Sequence, residues 1–306
     1  MPITEEQALA RVGRLGSSDS ASAIGLNPWC TPFQCFAKLT GRVEPDPQTL
    51  SMEVGQWMEP FIIKKVNQRL AQIEKAPPFI DSGETLLHNR YDWMIAHPDG
   101  YRYVAPDGGN VIDDGRYQIL EIKNVGWRVM HHWGEGLPSD GLPPAYVTTQ
   151  VLYQALVARD RYKVSNTHYV GAYFGGNDLR IYKLEFVEEN FTQLKSDLLE
   201  FRAYIERDEA PPMGWKDAKF AGKMYPIPTV PMISKGEVQD QGLVKEYIEI
   251  RNKMKQTEQE LLFKEAKIKE VMKDAEVMVD DDGSTPLFSW KTNKRGTRVF
   301  TCKVKD

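Results

Sequence analysis

The chain has 306 residues, 41% hydrophobic and 27% charged, which is enough for one large core or for a core plus an appendage. Its net charge of −4 is not the basic balance of an evident nucleic-acid binder, so contact with a polyanion must rest on a local basic groove. Cys30, Cys35 and Cys302 form no CxxC pair and are odd in number, which argues against a disulfide framework and for a reducing, cytoplasmic setting. No basic start followed by an apolar run opens the chain, and no run of about 18 apolar residues occurs, so neither a signal peptide nor a membrane span is expected.

Thr4-Glu5-Glu6-Gln7 predicts a short capped helix. Residues 14–25 predict a polar loop entering a second one, with Ser17, Ser18 or Asp19 as cap and Gly25 as stop. Two readings stand for this segment: a capped helix, or a phosphate seat built from free amides with Arg14 alongside. Thr31-Pro32 starts a helix that Gly41 ends, and Met58, Ile62, Val66 and Leu70 mark a longer one over about residues 50–73, with Glu59 at the edge of its stripe. Strands are expected at 79–80, 84–87, 94–97 and 101–104, and a hairpin turn at 106–109. Asp113 and Asp114 read as loop residues.

The next strand, around Gln118–Ile122, leads into Glu121-Ile122-Lys123. An acid and an amine two residues apart lie on the same face of a strand. The stretch 124–142 is irregular. Its adjacent His131 and His132 do not project to one side of a helix, which argues against zinc, whereas Trp127 and Arg128 suit a nucleotide backbone or base. A helix over about 145–158 has Gln150 and Gln154 on one edge; strands at 169–174 and 179–186 flank a Gly-Gly-Asn-Asp turn, and a helix follows over 191–205.

Residues 211–236 read as a Pro-rich linker, dividing a core (1–210) from an appendage (237–306). In the appendage Leu243, Tyr247, Ile250, Met254, Thr257, Leu261, Ile268 and Met272 fall near a 4,3 spacing; this long helix either pairs with another helix or packs back on its own domain. Two final strands enclose a turn with Lys294 and Arg295, part of the most basic stretch of the chain. It is either a solvated hairpin or a phosphate contact.

His97-Pro98-Asp99-Gly100 ends one apolar run and Glu121-Ile122-Lys123 lies inside another. Phosphodiester hydrolysis at neutral pH needs a nucleophilic water and relief of phosphate charge, which Mg²⁺ held by hard oxygens provides. Asp99, Glu121 and the Ile122 carbonyl can supply those oxygens, and Lys123 can orient or deprotonate the water. This is the PD-(D/E)xK pattern.

Gly-Ser-Ser-Asp (16–19), Asn-Pro-Trp (27–29), Thr-Gly (40–41), Gly-x-x-x-Glu-Pro (55–60), His-Pro-Asp-Gly, Glu-Ile-Lys and Pro-x-Tyr-x-x-x-Gln (144–150) follow one another in an order that resembles the YqaJ-type viral recombinase nucleases, relatives of phage lambda exonuclease. The resemblance covers about residues 14–186. It implies an α+β fold, a mixed central sheet flanked by helices, and Mg²⁺-dependent 5′ to 3′ digestion of linear double-stranded DNA, with Mn²⁺ able to substitute. It further implies a single-strand annealing partner, a phage or prophage setting and, in some relatives, a ring-shaped trimer. By position Asp99 and Glu121 match the metal ligands, Lys123 the catalytic lysine, Glu59 and Gln150 the flanking helix residues, and Arg14 with Ser18 a 5′-phosphate pocket. An endonuclease on the same core and a non-catalytic DNA-end binder are the alternatives.

Overall fold

The computed structural model describes residues 13–44, 47–105, 115–228, 230, 232–234, 240 and 242–304. The expected helix at Thr4, the turn at 106–109 and Asp113 and Asp114 lie outside these residues. The chain forms two compact units, Met1–Ile227 and Pro228–Asp306.

The first unit opens with β1 (Leu15–Gly16), α1 (Ser17–Ala23), α2 (Pro32–Leu39) and α3 (Leu50–Leu70). The N-cap of α1 is Gly16, with no side-chain cap, so none of Ser17, Ser18 and Asp19 plays the expected capping part. Its far end is as expected: Gly25 takes φ +77°, and the Leu26 N–H reaches back to the Ala21 carbonyl. Thr31 and Thr49 cap α2 and α3 by accepting from the Gln34 and Met52 amides.

Short strands follow: β2 (Ile80–Asp81), β3 (Leu86–Leu87), β4 (Met94–Ala96) and β5 (Gly100–Val104). The long β6 (Arg116–Val125) comes next, then a 3-10 turn at Trp127–His132, α4 (Ala145–Ala158), β7 (Thr167–Phe174), β8 (Asp178–Glu185) and α5 (Glu188–Arg207). The main sheet has the order β2-β5-β6-β7-β8 and is mixed: β6 and β7 run parallel, every other pair antiparallel. The parallel pair needs a long crossover, and α4 provides it. A second small sheet, β1-β4-β3, tucks the start of α1 beside the strand that leads to Asp99.

Helices cover both faces of the main sheet. On one, Ile62, Val66 and Leu70 of α3 pack against Leu120, Ile122, Tyr169 and Ile181. A Cβ on Gly171 would lie 2.6 Å from Val66 Cγ2, so that glycine permits the close approach of α3. On the other face Ile119, Val170 and Ala172 join Val147 and Val151 of α4 and Leu194 and Leu198 of α5. Each such buried aliphatic side chain contributes about 1.5–3 kcal/mol. Because strand residues alternate, Ile119, Glu121 and Lys123 share the α4 face and Leu120 and Ile122 the α3 face.

The boundary of the first unit falls later than the sequence suggested. Part of the expected linker is built into the core through a 3-10 turn at Trp215–Asp217 and the short α6 (Ala221–Met224). Asp217 is 1% exposed and accepts from Thr31 Oγ1 (2.6 Å), Gln34 Nε2 (2.9 Å) and the Gly214 amide (2.8 Å).

The second unit comprises α7 (Leu243–Met272) and an antiparallel sheet of β9 (Val277–Val279), β10 (Pro286–Thr292) and β11 (Arg298–Cys302); β9 is a strand that the sequence did not suggest. Arg298 belongs to this fold rather than to a free basic surface. Its guanidinium lies 3.7 Å from the Trp290 ring centre and donates to the Lys273 and Ala275 carbonyls.

Candidate active site

Gly100 is the first residue of β5 in the ladder with β6 and sits opposite Leu120. Asp99 therefore lies just beyond the paired region, and its Oδ2 accepts from the Ile122 amide at 2.7 Å. A strand residue points its N–H and C=O to the same side, so the Ile122 carbonyl faces the same open edge as the Asp99 carboxylate.

Glu121 is 2% exposed and is held by three donors. Lys123 Nζ approaches its Oε1 at 2.5 Å, Gln150 Nε2 donates to Oε1 at 2.7 Å, and Gln154 Nε2 donates to Oε2 at 2.7 Å. A carboxylate offers about four lone-pair sites, so one remains for a further ligand. A buried charge without such partners would be very costly, and the cluster supplies them from two elements, β6 and α4. Tyr153, between the two glutamines, donates to the Leu15 carbonyl at 2.6 Å and ties α4 to β1.

The electrostatics follow from the packing. Burial pushes the Asp99 carboxyl well above the usual range, the Glu121 charge raises it further, and Lys123 opposes them. Burial alone would lower the Lys123 ammonium, yet Glu121 and Asp99 outweigh it and hold the group above its ordinary value. Glu59, half-buried on α3, is raised by burial and by the charges of Glu121 and Asp81. Glu59 also raises Asp99, so α3 brings a third carboxylate into the field of the other two. Among the described residues no group of three or more His, Cys, Asp and Glu side chains converges tightly enough to form a metal cage.

The structure thus brings together Asp99, Glu121, Lys123 and Gln150, with Glu59 in their field. Sequence reasoning did not assign a site role to Gln154 or Tyr146. Both could have been found, because Tyr146, Gln150 and Gln154 recur every four residues along one face of α4. Lys123 lowers the Tyr146 phenol against the larger upward push of burial, and Tyr146 packs edge-on against the exposed Trp29 at 5.0 Å.

The remaining candidates belong to other segments of the chain. Arg14 directly precedes β1 and donates through Nε to the Asp92 carbonyl at 2.8 Å; Ser18 is exposed in the first turn of α1. Asp19 Oδ2 lies only 3.4 Å from where a Gly16 Cβ would stand, so a carboxylate sits at this helix start, in opposition to an anion. Trp127 is 72% exposed in the turn after β6, with the Arg128 guanidinium 5.6 Å from its ring centre. Lys294 and Arg295 are exposed in the β10–β11 turn of the second unit.

The pattern of the YqaJ-like viral recombinase domain matches residues 8–161. The chain belongs to this family. Asp99, Glu121, Lys123, Gln150 and Gln154 all fall within the matched span. A relative, the uncharacterized protein YqaJ of Bacillus subtilis (strain 168), is 23% identical over 249 residues, which is 81% of this chain; the chain spans 65%, less than two-thirds, of that protein's length. Among solved structures, LHK-Exo, an alkaline exonuclease from Laribacter hongkongensis, resembles this member of the YqaJ-like family. In complex with dAMP it is 16% identical, covers 71% of this chain and 98% of its own, and has a TM-score of 0.49. A second LHK-Exo structure is 14% identical, covers 67% of this chain and 94% of its own, and has a TM-score of 0.42.

Proposed function

We propose that the chain is a Mg²⁺-dependent exonuclease that digests linear double-stranded DNA, 5′ to 3′, and leaves single strands for an annealing partner in phage-type recombination within the host cytoplasm. The observation that carries this reading is the buried Glu121 carboxylate, shared by Lys123, Gln150 and Gln154 and set beside Asp99 where β5 begins its pairing with β6. Membership of a recombinase family agrees with it.

The residues fit a hard divalent cation. The Glu121 charge raises the cost of ionising Asp99, a repulsion that a cation relieves. The two carboxylates and the Ile122 carbonyl would hold Mg²⁺, which keeps several waters and so needs no closed cage; Mn²⁺ has similar ligand preferences. When bound, the ion supplies a Lewis acid for phosphate oxygen and acidifies water. Lys123 keeps a proton donor and positive charge where phosphate charge develops. Gln150 and Gln154 fix both oxygens of Glu121, and Glu59 adds negative potential from α3. Trp127 and Arg128 would take base and backbone, Arg14 and Ser18 the 5′-phosphate, and Lys294 and Arg295 other phosphates.

The test compares a 5′-phosphorylated linear duplex, its dephosphorylated form and a closed circle, each with Mg²⁺ or EDTA. The expected outcome is digestion of the phosphorylated duplex alone, abolished by EDTA. Cutting of the circle would identify an endonuclease, and end binding without cleavage a non-catalytic binder.

A further inference from the structure

The long helix α7 carries a row of apolar side chains that nothing among the described residues of the second unit covers. Leu243, Tyr247, Ile250, Met254 and Leu261 are each between 55% and 68% exposed. Among the described residues only the last turns are engaged: Met272 is buried, and Lys269 lies over the Trp290 and Phe300 rings. The row keeps the alternating spacing of four and three that makes a coiled-coil seam, with Tyr247, Met254, Leu261 and Ile268 at a positions and Leu243, Ile250, Thr257 and Lys264 at d positions.

The charges beside the seam select the occupant and its direction. Positions e hold Arg251, Glu258 and Glu265, and positions g hold Glu246, Lys253, Glu260 and Lys267. All but Glu265 are exposed. In a parallel in-register pair with another copy, Glu246 would face Arg251 and Lys253 would face Glu258, but Glu260 would face Glu265 and Lys264 would meet its own counterpart inside the seam. In an antiparallel pair centred between Lys255 and Gln256, e positions face e and g positions face g. Arg251 then meets Glu258, Lys253 meets Glu260 and Glu246 meets Lys267, each twice by symmetry, with no like-charge contact among them. The layers become Leu243 with Ile268, Ile250 with Leu261, Met254 with Thr257, and Tyr247 with the aliphatic stem of Lys264. Sliding one helix past the other by a full heptad, so that the centre moves half a heptad toward the N-terminus, would instead oppose Arg251 to Arg251 and Lys253 to Lys253. One register is therefore specified by attraction and its neighbour excluded by repulsion.

We propose that α7 is a self-association surface, and that its occupant is α7 of a second copy of this chain, antiparallel and in that register. A symmetric pairing of this kind uses the same face on both copies and closes on itself.

The experiment uses the full chain. Sedimentation over a concentration series should give the mass of two chains, or a multiple of two. The surface variant Arg251→Glu/Lys253→Glu leaves helix propensity nearly intact yet sets like charges opposite one another; it should lose that association, as should Glu258→Lys/Glu260→Lys. Mixing the two variants should restore it. Orientation is read by oxidation in a Cys302→Ser background. Ile250→Cys mixed with Leu261→Cys should form an interchain disulfide, whereas Ile250→Cys alone should not, because its counterparts lie about 16 Å apart along the helix axis. Circular dichroism checks that each variant keeps its helix content. A monomer at every concentration, an assembly that both charge variants leave unchanged, or a disulfide formed by Ile250→Cys alone would overturn the proposal.

Discussion

Removing the Lys123 ammonium leaves Glu121 buried with two amide donors and no cation, so Lys123→Ala should cost about 3 kcal/mol of stability. Cleavage should fall by orders of magnitude, since the positive charge beside Glu121 is gone, while duplex binding persists. Because a divalent cation can replace the lost charge, the melting temperature of the variant should rise more on addition of Mg²⁺ than that of the parent. Full cleavage, or a Mg²⁺ response no larger than the parent's, would count against the assignment. Gln154 acts at one remove. It is fully buried, and Gln154→Leu keeps its bulk but takes one oxygen of Glu121 out of its hydrogen bond. Loosening the carboxylate should raise the Mg²⁺ concentration needed for half-maximal cleavage several-fold, with less change at saturating Mg²⁺; an equal loss at all Mg²⁺ concentrations would point to misfolding instead.

At the scale of elements, the polar part of the junction between α2 and the 211–227 segment centres on one carboxylate, beside the Phe33–Phe220 ring contact. Asp217→Ala would leave the Thr31 hydroxyl, the Gln34 amide and the Gly214 N–H without their acceptor, at a cost of about 2–3 kcal/mol, and should expose the segment to proteolysis before the rest of the unit opens. A cleavage pattern identical to the parent's would argue that the segment is held by other contacts. β7 carries a second buried group. His168 accepts the Ile119 amide at 3.1 Å, and burial lowers its pKa from the ordinary 6.5 to about 3. Between those values the unfolded chain takes up a proton that the folded chain refuses. Stability is thus lost as pH falls through this window, by at most about 1.4 kcal/mol per pH unit from this group. His168→Asn keeps an acceptor for the amide and cannot take the proton. It should be less stable at neutral pH yet show a flatter acid limb in urea titrations; parallel limbs would remove His168 as the cause. These elements also show what the sequence made legible. β6, α3 and α4 were readable because their apolar periods are long, and Glu121-Ile122-Lys123 because two charges interrupt a buried run. The sequence could not reveal that Gly16 rather than a serine starts α1, or that Asp217 anchors a proline-rich stretch. Both depend on partners distant along the chain, and local composition favours the opposite reading.

The molecule as a whole divides by where its apolar surface goes. The first unit closes a core on both faces of its sheet and holds all of Asp99, Glu121, Lys123, Gln150 and Gln154. The second spends much of its apolar surface on an open helix face. A chain ending at Ile227 should therefore fold, melt in one cooperative transition and digest a linear duplex with the same Mg²⁺ requirement. Its hold on DNA should differ in a defined way. If Lys294 and Arg295 each neutralise a phosphate, their loss should make the slope of log K against log salt shallower by about 2, with a correspondingly weaker affinity at low salt. Filter binding over a salt series, with parent and shortened chain side by side, reads both quantities. An unchanged slope would remove the basic turn from the DNA path and leave α7 and its hairpin with assembly alone. A shortened chain that aggregates would mean that the second unit completes the fold of the first.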